Sequence, residues 1–279
     1  MAEEYKFIEA FGALPGRVDV RDYRLKKLSK ATLAELPESF ELNMCGVKNQ
    51  WTVCSCVAHA IAEVIEYHNK TQEGVSEKVS TGFIYGNRRN SSSKSSGMYV
   101  REALQNAVDF GDVFAFDFSE NVEVPTAIDV FEKRFDSLRS KAYPNRISTY
   151  FKLTSDDEIK YALMNHGPVV FAMSWYSDVR VGKDGVISTD RKGYKGGHCM
   201  VIYGWNDKGW LIQNSWGAAW GKKGCAILPF ETHKTEAWGI TDEVVGENGD
   251  IVKPKLGVRV LRWLAKTLNW LINLFRKRK

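Results

Sequence analysis

Five cysteines and five histidines in 279 residues leave little material for disulfide or metal chemistry. The thiols are Cys45, Cys54, Cys56, Cys199 and Cys225. Their odd number argues for reduced thiols in a cytosol-like compartment. Cys54 and Cys56 as half of a zinc site would need further ligands, and only His198 and Cys199 offer them, so neither a metal site nor a cofactor is expected. The opening "MAEEYKFIEAFGALPGRVDVRDY" lacks a basic stretch followed by an apolar run, so no signal peptide is expected and the chain reads as cytoplasmic. No internal repeat is present. Residues 253–279 lack any acid while holding nine Lys or Arg; without them the net charge of +5 becomes −4 for residues 1–252. A mildly acidic body excludes the nucleic-acid partner that the overall pI of about 8.8 would suggest.

What is present suits a globular chain with a large core: 44% hydrophobic and 26% charged residues. Residues 1–35 read as an extension, with turn signals in "LPGRVD" and a charged "RLKKLSK". A main domain over 36–244, a linker over 245–257 and a tail over 258–279 follow. "SCVAHAIAEVIEYHNK" predicts a buried helix with Val57, Ile61, Val64 and Ile65 as apolar positions. "GNRRNSSSKSSG" reads as a polar loop. "YVREALQNAVDFG" predicts a second helix, with Val100, Ala103, Leu104, Ala107 and Val108 on one face and Gly111 as its stop. "SDDEIKYALMNHGP" carries a capping box, Ser155 with Glu158, and ends at Gly167 and Pro168. The period then changes. "PVVFAMSW", "CMVIYGW", "GWLIQNSW" and "GCAILPF" are strand-like runs between Gly-rich turns. Helices first and strands second predict an α+β fold with two lobes.

A useful thiol nucleophile needs a lowered pKa, a base, a group that orients the base, and a donor for the developing oxyanion. Cys56 falls in the first turn of the first helix, where the helix dipole favours thiolate. His198 opens a predicted strand in "KGGHCMVIYGW". Asn214 ends the next one in "IQNSWG" and can hold an imidazole through its side-chain amide. Gln50, six residues before Cys56, can donate an amide N–H. A cysteine at the start of an apolar helix is, taken alone, more often a small buried hydrophobe.

This set resembles the papain-like (C1) cysteine peptidases, with their order Gln, Cys, His and then Asn in an Asn-Ser-Trp-Gly context. His198 lies 142 and Asn214 158 residues after Cys56, near that family's spacing. The resemblance covers about Leu36 to Phe230 and implies a helical N-terminal lobe, a β-barrel-like C-terminal lobe and a peptide or protein substrate. It also implies a catalytic Cys56–His198–Asn214 triad, an oxyanion donor in Gln50, and Trp216 shielding the Asn214–His198 bond. Gln50 plus six residues is Cys56, which sets Cys56 rather than Cys54 in the nucleophile's register. Of the family's Cys-Gly-Ser-Cys-Trp pattern only Ser55 and Cys56 survive; Val53, Cys54 and Val57 replace the rest, which removes a disulfide. By the same register the main specificity pocket would be walled by Met98, Ala172, Gly197 and Cys199, medium-sized and uncharged. A degenerate, peptide-binding relative is the non-enzymatic alternative. The extension is too short for a folded inhibitory propeptide. It either crosses the cleft or packs on the surface, and surface packing is the simpler expectation.

The tail "KLGVRVLRWLAKTLNWLINLFRKRK" repeats polar residues every three or four positions, from Arg259 to Arg276. Its internal charges and asparagines argue against a bilayer span. A basic amphipathic helix with Trp anchors fits an anionic membrane surface and peripheral association. Docking on a partner protein, or a membrane-active role in which the tail is the effector, are the other readings.

Overall fold

Helix α1 (Cys56–Glu73) is the element around which the rest is arranged. Val57, Ile61, Val64 and Ile65 are all buried, as the helical spacing requires. Each such side chain contributes about 1.5–3 kcal/mol of burial, and Ile61→Ala would cost about 2–5 kcal/mol. Gly74 closes the helix in the left-handed region (φ 69°), where its N–H donates to Lys70 O. The computed structural model describes residues 11–241 apart from 89–96, 120–133 and scattered positions between 17 and 34, with isolated positions beyond 241. The polar loop after Gly86 and the expected amphipathic tail helix therefore fall largely outside the described residues.

Strands β1 (Ala13–Leu14) and β2 (Phe40–Glu41) precede α1. Helix α2 (Thr81–Gly86), strand β3 (Met98–Tyr99) and helix α3 (Val100–Asp109) follow it. Strand β4 (Thr149–Leu153) then leads into helix α4 (Asp156–Asn165). Ser155 caps α4 by accepting from Glu158 N at 3.2 Å. The Glu158 carboxylate returns one residue further than in the usual reciprocal box, to Thr154 N at 2.6 Å.

The remaining strands are β5 (Val169–Tyr176), the hairpin pair β6 (Arg180–Val181) and β7 (Ile187–Ser188), β8 (Tyr194–Asn206), β9 (Gly209–Gln213), β10 (Cys225–Leu228) and β11 (Glu236–Thr241). With β4 they build one sheet in the order β10-β9-β8-β5-β11-β4, with β2 also on β8, except that β6 and β7 form a separate two-stranded sheet. The expected barrel does not close. Its two end strands hydrogen-bond to loops instead of to each other: Ile227 N in β10 donates to Gly185 O, and Lys152 N in β4 donates to Tyr23 O. These contacts take up part of each edge that would otherwise be open to a partner strand.

One face of this sheet packs on α1 and α3 through Val170, Val201 and Trp238. The other packs on α4 through Phe171, Met173, Trp205 and Trp210. The result is helix, sheet, helix, with α1 pointing its N-terminus along the seam between helical and β portions. Among the described residues no helix is long and apolar enough to cross a membrane.

Candidate active site

Cys56 is the first residue of α1 and is fully buried. Its position at the N-terminus puts the unsatisfied N–H end of an 18-residue helix beneath the thiol. The backbone N–H groups of Cys199 and Gly12 also point at its sulfur. Burial outweighs them and pushes the thiol up to about 11.

The loop before α1 carries Gln50 and is stitched on both sides. Towards α1, Lys48 pairs with Glu66 at 2.7 Å, both buried. Towards the sheet, Gln50 N donates to Ser215 O at 2.8 Å and Gly217 N to Lys48 O at 3.0 Å. Ser215 Oγ donates to Gln50 Oε1 at 2.6 Å, which fixes the amide so that its NH2 points the other way. One of that group's hydrogens goes to Val53 O at 2.8 Å. Trp51, next in the chain, sits at φ 47° with its N–H on Asn49 Oδ1, a tight bend that sets the Gln50 side chain inward.

His198 lies in β8, whose register with β5 pairs it with Met173. Asn214 follows β9, and its Oδ1 accepts two hydrogen bonds: from Ser215 N at 2.8 Å and from His198 Nε2 at 2.8 Å. The first donor is a backbone N–H and cannot reverse, so the oxygen is the acceptor and Nε2 must carry the proton. Nδ1 is then the basic nitrogen, and it is buried with no hydrogen-bond partner among the described residues. Trp216 covers the ring at 4.7 Å between centroids, and Trp175 meets it edge-on at 5.1 Å. That apolar enclosure pushes the imidazole down to about 4, with the Asn214 bond opposing.

Residues 11–14 of the N-terminal extension do not pack on the outer surface. Phe11 to Leu14 cross the cleft. Phe11 stacks edge-on against His198 at 6.0 Å and against Trp216 at 6.1 Å. Gly12 rests on the Cys54 carbonyl so closely that a Cβ there would collide with it. The Gly12 carbonyl accepts from Met98 N at 2.7 Å, and β1 then pairs in parallel with β3, Ala13 opposite Met98 and Leu14 opposite Tyr99. Further along, Arg101 of α3 holds the segment by ion pairs to Asp19, at 3.1 Å, and to Asp22. The motive for this path is small size: at Gly12, and at Gly197 beneath the Ala13 carbonyl, any side chain would block the approach.

Gln50, Cys56, His198, Asn214 and Trp216 thus converge on one seam. Of the pocket residues, Ala172 pairs with Cys199 in the sheet, Gly197 lies under Ala13, and Met98 binds the crossing segment. Glu236 pairs with Ala172 on the next strand, a neighbour with no motif around it that sequence reading could use. Among the described residues no group of three or more His, Cys, Asp or Glu could hold a metal ion.

The model of the papain family cysteine proteases matches residues 36–247. The chain is 28% identical over 212 residues to an uncharacterized peptidase C1-like protein of Acanthamoeba polyphaga mimivirus, covering 66% of this chain and 64% of that one. It is 37% identical over 93 residues to cathepsin B-like CP3 of Giardia intestinalis, covering 32% of this chain and 30% of that one. It thus spans less than two thirds of the length of these curated relatives. Xylellain, a cysteine protease from Xylella fastidiosa, superimposes with a TM-score of 0.73 at 23% identity, over 84% of this chain and 96% of that one. Procathepsin B S9 from Trypanosoma congolense does so with 0.62 at 18% identity, over 83% and 86%.

Proposed function

Because this chain belongs to the papain family of cysteine proteases, we propose that it hydrolyses peptide bonds with Cys56 as nucleophile, His198 as base and acid, Asn214 as orienter and Gln50 as oxyanion donor. The observation that carries this is the double acceptor at Asn214 Oδ1. It leaves His198 with its basic nitrogen unspent and its ring locked.

The thiol gives its proton to His198 Nδ1, and the thiolate at the helix N-terminus attacks the substrate carbonyl carbon. The carbonyl oxygen becomes an oxyanion, met by the Gln50 amide and the Cys56 backbone N–H. His198 protonates the leaving amine as the C–N bond breaks, and a thioester remains. Water, deprotonated by His198, resolves the thioester to a carboxylic acid and the free thiol. Trp216 keeps water from competing for the Asn214–His198 bond.

In the covered state this cycle is stalled. The segment Phe11–Leu14 occupies the place of a substrate, and the burial of Cys56 and of His198, the latter among Trp175, Trp216 and Phe11, favours neutral thiol and neutral imidazole over the ion pair. The enzyme as folded is latent. Gly12→Ala in the full chain tests this, since the added methyl forbids the seat on Cys54. Peptide hydrolysis and iodoacetamide labelling at Cys56 should both rise about tenfold or more over the unchanged chain, with labelling beginning at lower pH. Hydrolysis surviving Cys56→Ala in that background would overturn the assignment of the nucleophile.

A further inference from the structure

The proposed chemistry leaves residues 253–279 without a role, and helical period sorts their side chains by kind. Arg259, Arg262, Lys266, Asn269, Asn273 and Arg276, three or four residues apart, fall in one polar stripe. Leu264 and Leu268 fall on the side opposite that stripe. They are also the positions of the tail that the structure describes: both are helical, and they are 49% and 59% exposed. Two leucines one turn apart, neighbours on one face, thus stand in water although a body with a large core belongs to the same chain. Trp263 and Trp270, seven residues apart, fall by the same period on the border between the stripe and the apolar side.

Charge says what covers this face. Residues 253–279 hold nine Lys or Arg and no acid, against a net −4 over residues 1–252. Opposite charge would draw the tail onto its own body, yet the exposure of Leu264 and Leu268 leaves their face off it. A bilayer span is disfavoured by Arg259, Arg262 and Lys266, each a costly charge in hydrocarbon. A groove in a protein reads a few apolar anchors and gives no reason for tryptophans along the border. An anionic lipid surface uses every part. Acyl chains take the leucines, the headgroup level takes the indoles, and the lipid charge takes the cations, which close the tail as Arg276 to Lys279. The acidic body gains nothing from such a surface, so the attraction belongs to the tail.

We propose that residues 258–279 lie along an anionic lipid surface and hold the folded body beside it, with Leu264 and Leu268 inserted among the acyl chains. The inference stands whether or not the body cuts peptides. The test sediments the full chain with vesicles of phosphatidylcholine alone, and with vesicles of about three parts phosphatidylcholine to one of phosphatidylserine. The apparent Kd should be about tenfold or more lower for the anionic vesicles, and it should weaken about tenfold or more as salt rises from about 0.1 to about 0.5 M. The full chain carrying both Leu264→Glu and Leu268→Glu should stay in the supernatant with an unchanged urea midpoint, since neither leucine belongs to the core. Arg259→Gln, Arg262→Gln and Lys266→Gln together keep the leucines and should lower the anionic preference about tenfold or more. Recovery in the supernatant with both kinds of vesicle overturns the proposal and leaves the face to a partner protein. Anionic binding that survives the two leucine changes overturns it as well, because charge alone then does the holding. Equal binding to neutral and anionic vesicles, indifferent to salt, overturns the lipid class.

Discussion

The two walls of the cleft are assembled by different physics. The helix wall presents Cys56 through local rules alone: an apolar repeat, a helix start, a dipole. The sheet wall presents His198 and Asn214 only after β5, β8 and β9 have found their register, and it packs two aromatic rings, Trp175 and Trp216, on the imidazole. The loop at Lys48–Gln50 belongs to neither wall and is bonded to both. The proposed nucleophile therefore comes from the helix side, and the proposed base with its orienter from the sheet side.

That division can be broken at its strongest point first. In the uncovered Gly12→Ala background, Cys56→Ala should lower peptide hydrolysis by about 10³-fold or more while the fold stays intact by circular dichroism. Cys54→Ala, two residues upstream on the same wall, should keep most of the activity; the reverse pattern would mean that the register from Gln50 is wrong. Next is the stitch between the walls. Lys48→Met removes the cation from buried Glu66, whose Oε1 also accepts from Val79 N at 2.8 Å, and should cost about 3–5 kcal/mol in urea unfolding.

Gln50→Ala tests the shared loop in the chemical step. It should lower kcat by about 10- to 1,000-fold with little change in KM, because the donor acts mainly on the transition state. A loss carried by KM alone would make Gln50 a substrate contact instead. The smallest effect concerns pH. Burial raises the Glu63 carboxyl to about 8 from an ordinary 4.5, so the folded chain holds a proton that the unfolded chain releases between those values. Stability should fall as pH rises through that window, by on the order of 1–3 kcal/mol. Glu63→Gln should flatten the slope, and unfolding curves at pH 5 and pH 8 measure it.

The same division explains what could be read from the chain. Helix α1, the Ser155 cap and the order Gln50, Cys56, His198, Asn214 are written in short windows or in one dense motif. Glu236 is 38 residues past His198 in unremarkable sequence and becomes a neighbour of the cleft only through the β11–β5 pairing. The crossing segment "FGAL" is too short for a period, and its role depends on close approach at Gly12, which composition does not reveal. The open sheet was equally hidden: whether β10 and β4 meet depends on contacts their edges make with distant loops, at Gly185 and at Tyr23.

The segment over Cys56 is covalently joined to the domain that it covers. Its local concentration at the cleft is set by the tether and not by how much protein is present, and for short connections that concentration is in the millimolar range. Dilution therefore cannot wake the enzyme, and a free peptide must compete against an occupant that never diffuses away. Loosening of the hold at Arg101, like loss of the seat at Gly12 or a cut in the tether itself, changes that contest.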